Sequence, residues 1–233
     1  MLHKILLGYN TEAISNVGPK HAREMLRHEW TRADSIGLIR LVRLVICLTI
    51  FLLPTIYIDL LVPRKSKAAI AVARELYYIC VLVFLGIALF RDWHRSNIVI
   101  ALVIYFLAGA LVHLSGQVFV WGQQSIDAAR SLLLALINYA EMTIGFAILY
   151  RYWDCLSIQC LSIQQPSALT ALYFSIVTAA TVGYGDIVSA CTNPGRWLVI
   201  AQIGTAFLFV AVIIAALLGR ATASVPSSSS INK

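Results

Sequence analysis

Five stretches of this chain, residues 44–62, 68–90, 97–121, 131–153 and 197–219, are each apolar over about the 20 residues that a helix needs to cross a bilayer. Within hydrocarbon no water serves the backbone amides, so a spanning segment must satisfy its own, and a helix does. The chain is therefore expected to be an all-α membrane protein with about five hydrophobic helices. Composition agrees, since 60% of the 233 residues are hydrophobic and 12% are charged, well away from soluble domains.

Polar punctuation divides these windows. Residues 1–35 are polar and mixed in charge, residues 36–125 carry the first three windows, residues 126–220 carry the last two, and the Ser-rich residues 221–233 read as a disordered tail. The PRKSK run at 63–67 breaks the chain, and RDWHRSN at 91–97 is a tight turn that makes a helical hairpin of the second and third windows. The opening MLHKILLGYN is too short in apolar residues for a cleaved signal peptide, which leaves targeting to the first hydrophobic segment.

The net charge of +7 does not point to nucleic acid, because the 18 Lys and Arg are scattered among loop ends without an aromatic-interleaved basic patch. They read as membrane-flanking cations. Arg40 and Arg43 border the first window as snorkelling anchors, and no window carries the arginine ladder of a voltage sensor. The five cysteines show no C-x-x-C or Cys/His metal spacing. Cys47 and Cys80 lie in hydrophobic segments; Cys155, Cys160 and Cys191 flank the stretch discussed next. No Ser/His/Asp or Glu-x-x-His set is present, so an enzyme is not expected, and no cofactor is called for.

Polar residues inside the windows are few. His113, Ser115 and Gln117 fall on different sides of the third helix and form no single polar track. Glu141, in the middle of the fourth, is costly at bilayer depth and must face a partner or water. Asn138 is its neighbour one turn earlier. A functional role for Glu141, in gating, and an interhelical hydrogen bond are both open.

Between the last two windows lies SIVTAATVGYGDIV, 175–188. Pro166 and Ser167 mark a helix start, and the roughly 13 residues that follow give a helix of about 20 Å, too short to span. Gly183 and Gly185 would stop that helix and permit backbone angles closed to other residues. The chain thus dips into the membrane as a half-helix and returns as extended backbone, which is tolerated there only when buried in protein or lining water. If residues 181–184 alternate between glycine-like angles and their mirror counterparts, successive carbonyls face one side and can replace a cation's hydration shell. The half-helix adds the partial negative charge of its C-terminal end.

The run TVGYGD, 181–186, resembles the selectivity filter of the tetrameric potassium-channel pore family, and the resemblance extends over residues 131–220. It implies that the carbonyls of Thr181, Val182, Gly183 and Tyr184, with the Thr181 hydroxyl and Gly185 completing the filter, bind K⁺ as the permeant ion. It implies too that Asp186 sits at the outer mouth, supported by a hydrogen bond from Tyr173, which with Phe174 occupies positions where the family often has paired tryptophans. Ala180 stands where many members have Thr, and Val177 where some bacterial members have a buried Glu. Gly204 lies about two residues from the family's gating hinge, and serves either as that hinge or as a packing glycine. One filter per chain implies a homotetramer, with membrane lipids and K⁺ as its other partners and no nucleic acid.

A filter that opens outward places residues 154–194 outside, the C-terminus inside, PRKSK inside and Arg91 and Arg95 outside. Two of Cys155, Cys160 and Cys191 could then be disulfide-bonded, or all three could be thiols. Five full spans would leave residues 1–43 outside against the positive-inside tendency, unless residues 44–62, broken at Pro54 and bearing Asp59, do not fully cross. The function expected is a multi-pass K⁺-selective channel of a bacterial inner or plasma membrane. The alternatives are a subunit of a K⁺ uptake transporter, and a non-conducting signalling or structural membrane protein.

Overall fold

A computed structural model describes residues 23, 26–27, 38–50, 52–54, 57–58, 67–119, 128–158, 161–162, 166–189 and 193–223. Among the described residues six α-helices carry the fold: α1 (Leu38–Ile50), α2 (Lys67–Phe90), α3 (Asn97–Phe119), α4 (Ala128–Tyr152), α5 (Ala168–Ala179) and α6 (Asn193–Ala223). Four of them, α2, α3, α4 and α6, are long and apolar enough to cross a membrane. The result is a multi-pass, all-α membrane protein in which α5 is the short helix expected between the last two spans.

The first hydrophobic window does not become one long helix. α1 has 13 residues, about 20 Å against a hydrocarbon core of about 30 Å. Its end is followed by a turn in which Tyr57 N donates to Pro54 O at 2.9 Å. Tyr105 Oη donates to Leu52 O at 2.7 Å, holding the end of α1 against the interior of α3. If the four candidate spans among the described residues cross, the start of α2 and the end of α6 fall on one side of the bilayer. The tail, Cys160 and Cys191 lie outside the described residues.

α2 and α3 are joined as the sequence predicts, by a tight connection. Asp92 takes a left-handed conformation, φ 58°, which Asp tolerates better than most residues, and one 3₁₀ turn, Trp93–Arg95, leads into α3. The helix that organises everything else is α4, which packs against α2, α3, α5 and α6. Almost every residue from Asn138 to Arg151 is buried or half-buried, the mark of a helix covered all round. Met142, Phe146 and Tyr150 of α4 share a core with Leu85 and Leu89 of α2, Val103 of α3, Phe174 of α5 and Phe209 of α6. Lipid is as apolar as these side chains, so close packing rather than water exclusion holds them. Gly145 serves it: a Cβ there would meet Leu107 Cδ2 at 2.8 Å.

A small antiparallel sheet caps one end. β1 (Leu156–Ile158) lies between β2 (Leu161–Ser162) and β3 (Val188–Ser189), with Ser157 opposite Ser162 on one side and Val188 on the other. It ties the chain leaving α4 to the chain leaving the glycine-rich turn.

Candidate functional site

α5 begins where Pro166 and Ser167 predict. Ser167 is its N-cap, with Oγ accepting from Thr170 N at 3.1 Å. The helix ends earlier than the glycines suggest. Thr181 N donates to Thr178 O and Val182 N to Val177 O, each at 3.0 Å, and Thr181 stands at φ 56°. This pair of bonds around a left-handed residue is the Schellman ending, which usually employs Gly. Here a β-branched threonine fills that place, two residues ahead of Gly183.

Beyond it the backbone alternates. Thr181, Gly183 and Gly185 have φ of 56°, 59° and 79°, while Val182 and Tyr184 are not among the positive-φ residues. This alternation of hand is what the sequence reading requires for carbonyls turned to one side. Thr181, Val182, Gly183, Tyr184, Gly185 and Asp186 are all exposed on the single chain, Tyr184 at 70%. Among the described residues no side chain fills the space that a Cβ at Gly183 or Gly185 would occupy.

The far end of the turn is fastened. Tyr173 Oη donates to Asp186 Oδ2 at 2.7 Å, the bond expected from sequence, and Ile187 N donates to Asp186 Oδ1 at 2.9 Å. With Val177 in place of an acid, Tyr173 is the side chain that engages Asp186. These two donors hold the Asp186 carboxyl below the usual carboxylate range, the tyrosine contributing most.

Behind α5 runs a buried polar network that sequence reasoning missed. Gln202 of α6 donates from Nε2 to Ser175 O at 2.8 Å and to Ser175 Oγ at 2.7 Å, and its Oε1 accepts from Tyr150 Oη at 2.8 Å. Ser175 Oγ donates to Thr143 O at 2.7 Å. Tyr150 also meets Phe174 edge to face, centroids 4.9 Å apart. A lone Gln in an apolar helix was the available signal, since such a residue seeks partners across helices.

Arg151 is the second element missed. Buried at the end of α4, it donates to Pro166 O (2.8 Å), Leu89 O (2.7 Å) and Asp92 Oδ1 (2.5 Å). One guanidinium fork thus joins α4, the approach to α5 and the end of α2, and brings the α2–α3 turn to the end of the bundle where α5 begins.

Of the two possible gating residues, Gly204 is exposed and a Cβ there would meet nothing within 4 Å. It lies among Trp197, Ile200, Phe207, Val210 and Ile214, the large exposed hydrophobic side chains of α6, so it does not serve packing against the described residues of the protomer. Glu141 is buried, and among the described residues its Oε1 finds no hydrogen-bond donor; neither does Oδ1 of Asn138. The interhelical bond open to Glu141 is therefore not made at that oxygen. His113 is near Tyr78, ring centroids 5.7 Å apart. Cys155 Sγ approaches Trp153 O at 3.4 Å.

Residues 139–223 match a family model described as ion channel. No curated protein and no solved structure matches the chain. The matched stretch runs from the middle of α4 through α5, the alternating turn and α6, and it is in this part that the chain is similar to ion-channel pores.

Proposed function

We propose that the protein is a K⁺-selective channel in which four copies of residues 181–185 form one ring. The observation that carries this reading is the alternating backbone at Thr181–Val182–Gly183–Tyr184–Gly185 directly after a capped half-helix. A single chain offers such a strand on one side only, and it leaves Val182 and Tyr184 exposed. A ring closes both deficits, surrounding a dehydrated cation with carbonyl oxygens and covering the filter side chains. The ion-channel match over residues 139–223 supports passive conduction. K⁺ is the permeant ion rather than a cofactor, and an inner or plasma membrane is its setting.

Purified protein in liposomes tests this. K⁺ efflux faster than Na⁺ efflux by about a hundredfold or more, from a species with the mass of four chains, is expected. Equal K⁺ and Na⁺ fluxes, or conduction by a stable monomer or dimer, would refute it.

A further inference from the structure

The buried residues of α5 are Ala171, Phe174, Ser175 and Ala179. Apolar burial is non-directional, so the three apolar members hold α5 against its neighbours but fix its rotation weakly. Hydrogen bonds fix it strictly. Ser175, Gln202 and Tyr150 are all fully buried. Ser175 O can only accept, so the Gln202 atom that faces it at 2.8 Å is the nitrogen, and Oε1 is left for the Tyr150 hydroxyl. The Ser175 hydroxyl gives its proton to Thr143 O and accepts from Gln202 Nε2 at 2.7 Å. Both polar atoms of the Gln202 side chain are thus engaged, and the amide stands one way round. A satisfied buried network of this kind specifies one arrangement of the helices that share it.

Gln202 belongs to α6, Tyr150 and Thr143 to α4, and Ser175 to the helix that leads into TVGYGD. Ser175 stands six residues before Thr181, fewer than two helical turns. The bonding between them is unbroken, with Ile176 O, Val177 O and Thr178 O accepting from Ala180 N, Val182 N and Thr181 N. A rotation of α5 at Ser175 is therefore carried to residues 181–184 rather than absorbed on the way. The other fastenings of α5 lie at its two ends, Arg151 on Pro166 O before it and Tyr173 on Asp186 beyond the turn. We propose that Gln202 is a positioning residue for ion selectivity, clamping Ser175 between α6 and α4 and so fixing the rotation of α5 that aims the carbonyls of residues 181–184. Gln202 acts through α5 and not on the ion, and its role rests on the channel reading.

The test compares folded variants of the full chain in liposomes. Gln202→Met keeps the length of the side chain and removes its donor and acceptor; it should lower the K⁺-over-Na⁺ flux ratio about fivefold or more, the weight of one net hydrogen bond. Tyr150→Phe removes only the donor to Oε1 and should lower the ratio about twofold, the lower end of the same range. The two changes together should do no more than Gln202→Met alone, as coupled residues behave. Gly145→Ala, which presses on Leu107 of α3, controls for general loss of stability and should keep the ratio while lowering the melting temperature. Hydrogen–deuterium exchange supplies a readout that needs no conduction: Gln202→Met should speed exchange over residues 176–187 and leave the α2–α3 turn unchanged. An unchanged ratio in folded Gln202→Met, additive losses in the double variant, or an equal loss in Gly145→Ala would overturn the proposal. If Gln202→Met does not fold, Tyr150→Phe carries the test, and an unchanged ratio there is fatal. Equal K⁺ and Na⁺ fluxes through the wild type would instead overturn the channel reading and selectivity with it; faster exchange over 176–187 would still mark Gln202 as the residue that positions the turn, and unchanged exchange would remove that role too.

Discussion

Tyr173 Oη and Asp186 Oδ2 stand 2.7 Å apart, so the helix that leads into the TVGYGD turn also holds the residue that ends it. The phenol is the largest cause of the lowered Asp186 pKa. Tyr173→Phe removes that donor, the folded-state pKa rises, and the carboxylate protonates at a higher pH than in the wild type. If the channel reading holds, K⁺ flux in the variant should fall off at higher external pH as the solution is acidified. Coincident wild-type and Tyr173→Phe acid profiles would count against the bond's importance.

Gly183 and Gly185 have open space where a Cβ would stand, so substitution is penalised by backbone conformation rather than by collision. An L-residue in the left-handed region costs about 1–2 kcal/mol, multiplied, on the channel reading, by the number of chains in the ring. Gly183→Ala and Gly185→Ala should therefore retain the helical fold, with thermal melting little changed, yet lose most K⁺-over-Na⁺ preference in a liposome flux assay. Retained preference would remove the filter assignment.

Arg151 satisfies two buried carbonyls and one exposed carboxylate. Arg151→Met leaves Leu89 O and Pro166 O without their donors, at about 1–3 kcal/mol each. Arg151→Lys should recover part of the loss, since an ammonium cannot fork to three acceptors. Asp92→Asn should cost little, its side chain being 63% exposed. Unfolding in mixed micelles, followed by circular dichroism, ranks the three; an Arg151→Met protein as stable as wild type would contradict the staple.

His94 is buried at the α2–α3 turn. Burial is the first cause that lowers its pKa, the Arg151 charge the second, while Asp92 and Asp154 oppose and Arg95 adds to the lowering. Its neutral form is thus the folded one. As pH falls through the unfolded value near 6.5, the unfolded chain takes up a proton that the folded chain refuses, and stability declines. His94→Gln should flatten the melting temperature between about pH 7 and pH 5. Asp92, lowered chiefly by the hydrogen bond from Arg151, acts in the same direction but at lower pH, as its own carboxylate becomes protonated.

Much of this architecture could be read from residue order alone. Pro166 and Ser167 predicted the start of α5 and RDWHRSN the turn between α2 and α3, while the resemblance of TVGYGD to a potassium-channel filter pointed to Tyr173 as the partner of Asp186. Elsewhere the deciding contacts leave no local mark. Arg151 binds backbone carbonyls of Leu89 and Pro166, and any residue presents a carbonyl. The strands at Leu156–Ile158 and Leu161–Ser162 are too short for a period of two to show, and they depend on Val188 and Ser189 beyond the turn. Gly183 and Gly185 suggested the end of α5, yet Thr181 performs that task in a conformation its side chain disfavours. The first window was apolar enough to span, but a helix of the length of α1 does not.

From Asn138 to Arg151 α4 is covered on every side, and this denies the molecule a natural seam. The family match begins at Tyr139, and residues 126–220 could be taken for a portable unit. Cut free, however, that unit would turn toward lipid the face now lying against α2 and α3. Glu141, 4% exposed and facing α2 and α3, would meet hydrocarbon there, an expensive position for an acid. The α2–α3 hairpin is thus a sheath that makes a buried acid tolerable in α4, and a transplanted unit would have to carry it or replace Glu141 with an apolar residue.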